Sequence, residues 1–149
     1  EHATPPLMSP DDFDRLVVEY DQGLVDMCKK AGNFVAYHCH GNIRHALRRF
    51  REMGVDQTDP VECLPDGELS ISEAREIAGD ALCLTGNLQM REIASSEPAD
   101  IKRRVEELIR QAGPNNLVIS TTGAPLEKID KRSEKNYLAM IDAANSFSI

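Results

Sequence analysis

Apolar residues along this chain follow two spacings in turn. From Phe13 through Leu16, Val17, Tyr20, Leu24 and Met27 they recur every three or four residues, as on one face of a helix. Ser9-Pro10-Asp11-Asp12 ahead of them supplies a capping serine, a proline at the first helical position and acids in the first turn, and Gly32 closes the element. Residues 34–38 then form a short unbroken apolar run ending in polar groups, the pattern of a buried strand. The pairing repeats. A helix is predicted over about 43–53 with Gly54 as its stop, a strand over 55–58, and a loop with two prolines over 59–67. Ser70-x-x-Glu73 is a capping-box signature for a helix ending near Gly79, followed by a strand over 81–85. Pro98 opens an amphipathic helix with Ile101, Val105, Leu108 and Ile109 on one face and Lys102, Arg103, Glu106 and Arg110 on the other. Gly113-Pro114 ends it, 117–120 is a fourth strand, 121–125 a loop, and Ser133 is read as the cap of a last helix through Ala144.

Four short apolar strands separated by helices mean βα units, an α/β fold with a parallel sheet and right-handed crossovers. Such a sheet is either open and doubly wound or part of a closed barrel. A doubly wound nucleotide fold needs a glycine-rich turn, and neither Gly-x-Gly-x-x-Gly nor Gly-x-x-x-x-Gly-Lys is present. A (β/α)₈ barrel takes about 200 residues or more, so this chain carries about half of one. Each strand ends in polar groups: His38, Cys39 and His40; Thr58, Asp59 and Glu62; Thr85, Gly86 and Asn87; Ser120, Thr121 and Thr122. That is how the rim of a barrel is furnished.

The 149 residues are read as a single domain, 1–149, with 1–8 as an extended leading segment. A net charge of −8 argues against non-specific binding to nucleic acid or anionic lipid. The one basic cluster, Arg44, Arg48, Arg49 and Arg51, has helical spacing and reads as a solvated helix face. No run approaches the roughly 18 apolar residues of a membrane span, and no signal-peptide pattern opens the chain, so a cytoplasmic location is expected. Cys28, Cys39, Cys63 and Cys83 are too dispersed for a zinc knuckle or a C-x-x-C redox pair. Cys28 and Cys83 read as inert core thiols, while Cys39 and Cys63 lie near strand ends.

The ordered motifs Tyr37-His38-Cys39-His40-Gly41-Asn42, Met53-Gly54-Val55-Asp56, Gly79-Asp80-Ala81-Leu82-Cys83-Leu84-Thr85-Gly86-Asn87-Leu88, Val118-Ile119-Ser120-Thr121-Thr122-Gly123-Ala124-Pro125 and Asn136-Tyr137-Leu138-Ala139-Met140-Ile141-Asp142-Ala143 carry a family likeness. Together they resemble the C-terminal half of the uroporphyrinogen decarboxylase and corrinoid-dependent methyltransferase superfamily. The joint spacing of His-x-x-Gly-Asn, the second Gly-Asn and Gly-x-Pro is its specific element. The resemblance implies a (β/α)₈ barrel and one of two chemistries. One is cofactor-free decarboxylation of a tetrapyrrole; the other is zinc-dependent methyl transfer between a corrinoid and a small thiol. The decarboxylase branch uses a histidine near the last strand, where this chain has Ser120-Thr121-Thr122. The methyltransferase branch has His-x-Cys-Gly, a second cysteine and an acid between them. Here His40 replaces the first cysteine, Thr122 stands at the second, and Glu62 is the nearest acid.

On a strand, residues two apart share a side, so His38 and His40 can face one ion while Cys39 turns away. Two imidazoles plus Glu62 would leave a position open on zinc, as catalysis requires, and this set would also take iron or manganese. Cys39, Asn42, Asn87, Thr121 and Thr122 are the expected substrate-binding residues. Each has a plainer reading: strand-end histidines hydrogen-bonded to loops, Asn87 capping the next helix, Thr121 and Thr122 capping a loop. Tyr37, alternating with His38, should pack on the helices. His45 reads as a surface residue and His2 as part of a disordered terminus.

Half a barrel leaves two strand edges unpaired. The expected partners are a second copy, forming a homodimer, or a missing N-terminal half-barrel, the latter favoured because the chain starts at Glu1 rather than methionine. A small-molecule substrate is expected, and the chain is expected to be inactive alone. The readings are a metal-assisted methyltransferase, a tetrapyrrole decarboxylase, or a non-catalytic binding or assembly module.

Overall fold

A computed structural model of the protein describes residues 3–125 and 128–147; His2 lies outside them. Four strands, β1 (Ala36–His38), β2 (Gln57–Asp59), β3 (Cys83–Leu88) and β4 (Leu117–Thr121), form one sheet in the order β1-β2-β3-β4. Every pair is parallel, with Ala36 beside Gln57, His38 beside Asp59, Thr58 beside Leu84 and Asn87 beside Ser120. The helices are α1 (Pro10–Phe13), which runs through a π-helical turn at Asp14–Val18 into α2 (Glu19–Lys30), then α3 (Arg44–Met53), α4 (Ile71–Ala78), α5 (Met90–Ser95), α6 (Pro98–Ala112) and α7 (Lys131–Ser146). Parallel strands in consecutive order with helices between them make an arc of a (β/α)₈ barrel.

The differences from expectation have local causes. β1 begins at Ala36 rather than Phe34, because Val35 and what precedes it lie outside the ladder, and the Phe34 ring is exposed. β3 runs on to Leu88, past the expected end at 85, so Asn87 belongs to the strand and does not cap a helix. α5 was not expected; Gln89 and Glu92 form a capping box at its start. Asp130, not Ser133, caps α7, its carboxylate accepting from Ser133 N at 2.7 Å. Residues 4–8 are not extended: Leu7 N and Met8 N both donate to Thr4 O, closing a turn.

The core lies between the convex face of the sheet and the helices. Leu47, Phe50, Leu84 and Leu108 have no exposed surface. Phe50 of α3 meets Phe13 edge-on at 5.9 Å and the Tyr37 ring at 4.6 Å, so Tyr37 packs outward. The concave face is open: Val118 is 42% exposed, and His38 also faces solvent. At the N-terminal end of the strands, the Arg75 guanidinium donates to five carbonyls, those of Gly79, Leu82, Ala112, Asn115 and Asn116.

The arginines of α3 are mostly committed. Arg44 reaches Glu68 and Glu73, Arg49 reaches Asp14 and Glu52, and Arg51 donates to Ile77 O, leaving Arg48 exposed. His45 is half-buried rather than superficial, with Nε2 2.7 Å from Asp14 Oδ1. Arg49 first, and then His45, hold the Asp14 carboxyl down at about 2. A depressed carboxyl contributes stability above its unfolded value and loses it as the pH falls through the folded one. The Asp14 contribution should therefore be complete above about pH 4 and vanish toward pH 2. Urea midpoints at pH 6 and pH 3 should converge in Asp14→Asn relative to the native chain; an unchanged acid slope would remove Asp14 from the account.

Candidate active site at the strand ends

The C-terminal ends of β1 and β2 bring four groups together. His38 Nδ1 is 3.1 Å from Asp59 Oδ2, its partner across the ladder. Two residues on, His40 Nδ1 is 3.2 Å from Glu62 Oε1, and Glu62 Oε2 accepts from Gly41 N at 2.8 Å. The two imidazoles are 4.8 Å apart, edge to face. Alternation does place them on one side, and it turns Cys39 the other way. A carboxylate on Nδ1 orients each ring and favours a proton on that nitrogen.

His40 and Glu62 are the more sheltered pair, 23% and 12% exposed at the side chain. Thr4 Oγ1 donates to His40 O at 2.6 Å, so the turn at residues 4–8 sits against the His40-Gly41 segment. Thr4, Pro5, Leu7, His40, Gly41 and Glu62 line a cleft of about 340 Å³. On its other side His40 opens into a larger cleft of about 780 Å³, bounded by Met90, Arg91, Pro125, Lys128 and Tyr137. Arg91 is paired with Asp66, and Tyr137 OH contacts Met90 Sδ at 3.4 Å.

The expected substrate residues are dispersed. Cys39 is buried among the helices, and burial pushes its thiol up to about 11, so it does not meet the cleft as a thiolate. Asn87 has no exposed surface and accepts from Arg104 Nη2 at 3.1 Å through Oδ1. Thr122 is buried and donates to Gln89 Oε1 at 2.8 Å, while Gln89 Nε2 approaches Cys63 Sγ at 3.6 Å, tying the ends of β3 and β4 to the loop after β2. Thr121 closes its own loop on Gly123 O at 2.8 Å. Asn42 faces a separate small cleft with Arg44, His45 and Arg48. Cys28 and Cys83 are partly exposed rather than core thiols. Asp59 was absent from the expected site, although its position at the end of the strand beside His38 is the register signal that identifies it.

The expected three-ligand metal set does not form. Glu62 spends both carboxylate oxygens on His40 and Gly41, behind the imidazole rather than beside it. Among the described residues no three His, Cys, Asp or Glu side chains are grouped to hold a metal ion.

The model of the family described as uroporphyrinogen decarboxylase (URO-D) matches residues 1–147. The chain belongs to that family. No curated protein matches it. Among solved structures it is similar to a methyltransferase from Methanosarcina mazei, with a TM-score of 0.71 and 22% identity, covering 96% of this chain. It spans 39% of that methyltransferase's length. At this identity the likeness concerns the fold, and it agrees with a partial barrel of the URO-D family. Among the described residues no helix is long and apolar enough to cross a membrane.

Proposed function

We propose that this URO-D-family chain supplies the proton-handling rim of an enzyme acting on a small molecule, of the methyl-transfer type. One observation carries the reading: the half-buried His40–Glu62 pair stands between the two clefts, with the His38–Asp59 pair beside it. In methyl transfer to a thiol, the acceptor must lose its proton before its sulfur attacks. His40 takes that proton on its imidazole, and Glu62, 3.2 Å from Nδ1, stabilises the imidazolium. Asp59 does the same for His38. A tetrapyrrole decarboxylase fits less well, because the last-strand position where that branch uses a histidine reads Ser120-Thr121-Thr122 here.

The test is thiol ionisation. With 2-mercaptoethanol as probe at neutral pH, ultraviolet absorbance should report thiolate on the native chain. His40→Ala should lower the thiolate fraction by about tenfold or more. No thiolate on the native chain, or the same amount on His40→Ala, would refute the assignment. The closeness of the two imidazoles also favours a second reading, a shared metal ligand pair. Elemental analysis separates the two: near-stoichiometric zinc, iron or manganese that disappears in the His38→Ala, His40→Ala double variant would make them ligands rather than bases.

A further inference from the structure

The segment ahead of the first helix is fastened to the candidate site at one residue. A helix that leads into a parallel strand runs back against it, so α1 begins at the pole where the strands end. Of residues 4–9 only Thr4 is buried, at 4% exposure, while Leu7 is 73% exposed. Thr4 O accepts from Leu7 N at 3.0 Å and from Met8 N at 3.1 Å, and Thr4 Oγ1 donates to His40 O at 2.6 Å. The next polar group along the main chain, Gly41 N, donates to Glu62 Oε2 at 2.8 Å. His40 O and Gly41 N belong to one peptide unit. That unit is therefore gripped on one side by the turn and on the other by the carboxylate that also faces His40 Nδ1. Gly41, at φ +85°, leaves room for the seat: a Cβ there would stand 3.0 Å from Thr4 Oγ1 and 3.5 Å from Pro5 O.

We propose that Thr4 is a positioning residue for His40: the turn at residues 4–8 is a latch on the His40-Gly41 peptide, and the latch and the Glu62 contact open and close together. The peptide unit is rigid, so lifting its carbonyl end off Thr4 tilts its N–H end away from Glu62. Without the Thr4 hydroxyl, His40 O loses its donor inside the contact, and only a raised turn lets water replace it. The cleft of about 340 Å³ lies between the turn and the His40–Glu62 pair, so a molecule held there bears on both. The latch deepens the proton-handling reading of His40 by fixing that residue's place. Backbone exchange reports the latch whether or not His40 takes a proton from a thiol, so the two can fail separately.

Amide hydrogen exchange followed by NMR on the full chain tests the coupling. In the native protein Leu7, Met8 and Gly41 should share one degree of protection, below that of the β3 amides, as a unit that opens locally does. Thr4→Val, which keeps the shape and removes the donor, should speed Gly41 exchange by about fivefold or more, and Thr4→Ser should restore it. Glu62→Ala, acting from the other side, should speed Leu7 and Met8 by a similar factor, because coupling is reciprocal. Ser96 and Gly79, whose amides are held at the ends of other helices, should keep their native rates throughout. Protection of Gly41 that differs from that of Leu7 and Met8 by more than about tenfold in the native chain would overturn the latch. So would the absence of either crossed effect, a Thr4→Ser chain as fast as Thr4→Val, or an acceleration that spreads equally to Ser96 and Gly79.

Discussion

Phe50→Ala should cost about 4 kcal/mol of stability and lower the melting temperature by about 12 °C. Phe50 has no exposed surface and is held between the Phe13 ring at 5.9 Å and the Tyr37 ring at 4.6 Å. It is the contact through which the first helical stretch, α3 and β1 meet, so a truncation there leaves a void bordered by three elements. Neither aromatic neighbour can fill it, because the Tyr37 hydroxyl is fixed on Asp21 and Phe13 is also packed edge-on against His45. Phe50→Leu, which keeps most of the volume, should lose less than half as much. Urea unfolding followed by circular dichroism measures both. A loss below about 1 kcal/mol for Phe50→Ala would show that these three elements do not share one core.

Gly67→Ala should disable the strand-end site and destabilise the chain together. A methyl group there would stand 2.1 Å from Glu62 O and 2.7 Å from Glu62 C, and backbone cannot step aside as a flexible side chain does. Residues 62–67 must move, and with them the carboxylate that holds His40 Nδ1 and Gly41 N. Overpacking of this kind costs about 2 to 3 kcal/mol. The mercaptoethanol thiolate signal should fall as far as in His40→Ala. Glu62→Gln, which keeps the shape, should weaken the signal while leaving stability within about 1 kcal/mol. If Gly67→Ala matched the native chain in urea midpoint and thiolate signal, the loop would not be what positions Glu62.

How much of this was readable beforehand varied with the kind of signal. The amphipathic run after Pro98 and the Ser70–Glu73 capping box are local codes, and both helices stand where those codes put them. Parallel pairing followed from the alternation of elements. The side-by-side imidazoles followed from strand alternation alone, but their carboxylate partners did not, since Asp59 is set opposite His38 by register between two strands. Asn87 was placed beyond the strand for a related reason: the apolar run stops at 85, yet the ladder to Ser120 carries the strand through Gly86-Asn87. α5 was missed because its six residues carry little periodicity, and its one clear signal is Gln89 three residues before Glu92. Glu62 had the right neighbour, but proximity in sequence cannot say which side of an imidazole a carboxylate will take.

Arg75 stands at the opposite end of the strands from the histidines and ties together the loops entering β3 and β4 through five carbonyls. Cohesion and the candidate site thus occupy different poles of the same sheet. An exposed side chain at the histidine end, such as His38, can be exchanged without unlacing the frame, whereas a single change at Arg75 would loosen every element it fastens. A scaffold divided in this way can acquire new chemistries through its upper loops, as long as the arginine below continues to hold them in place.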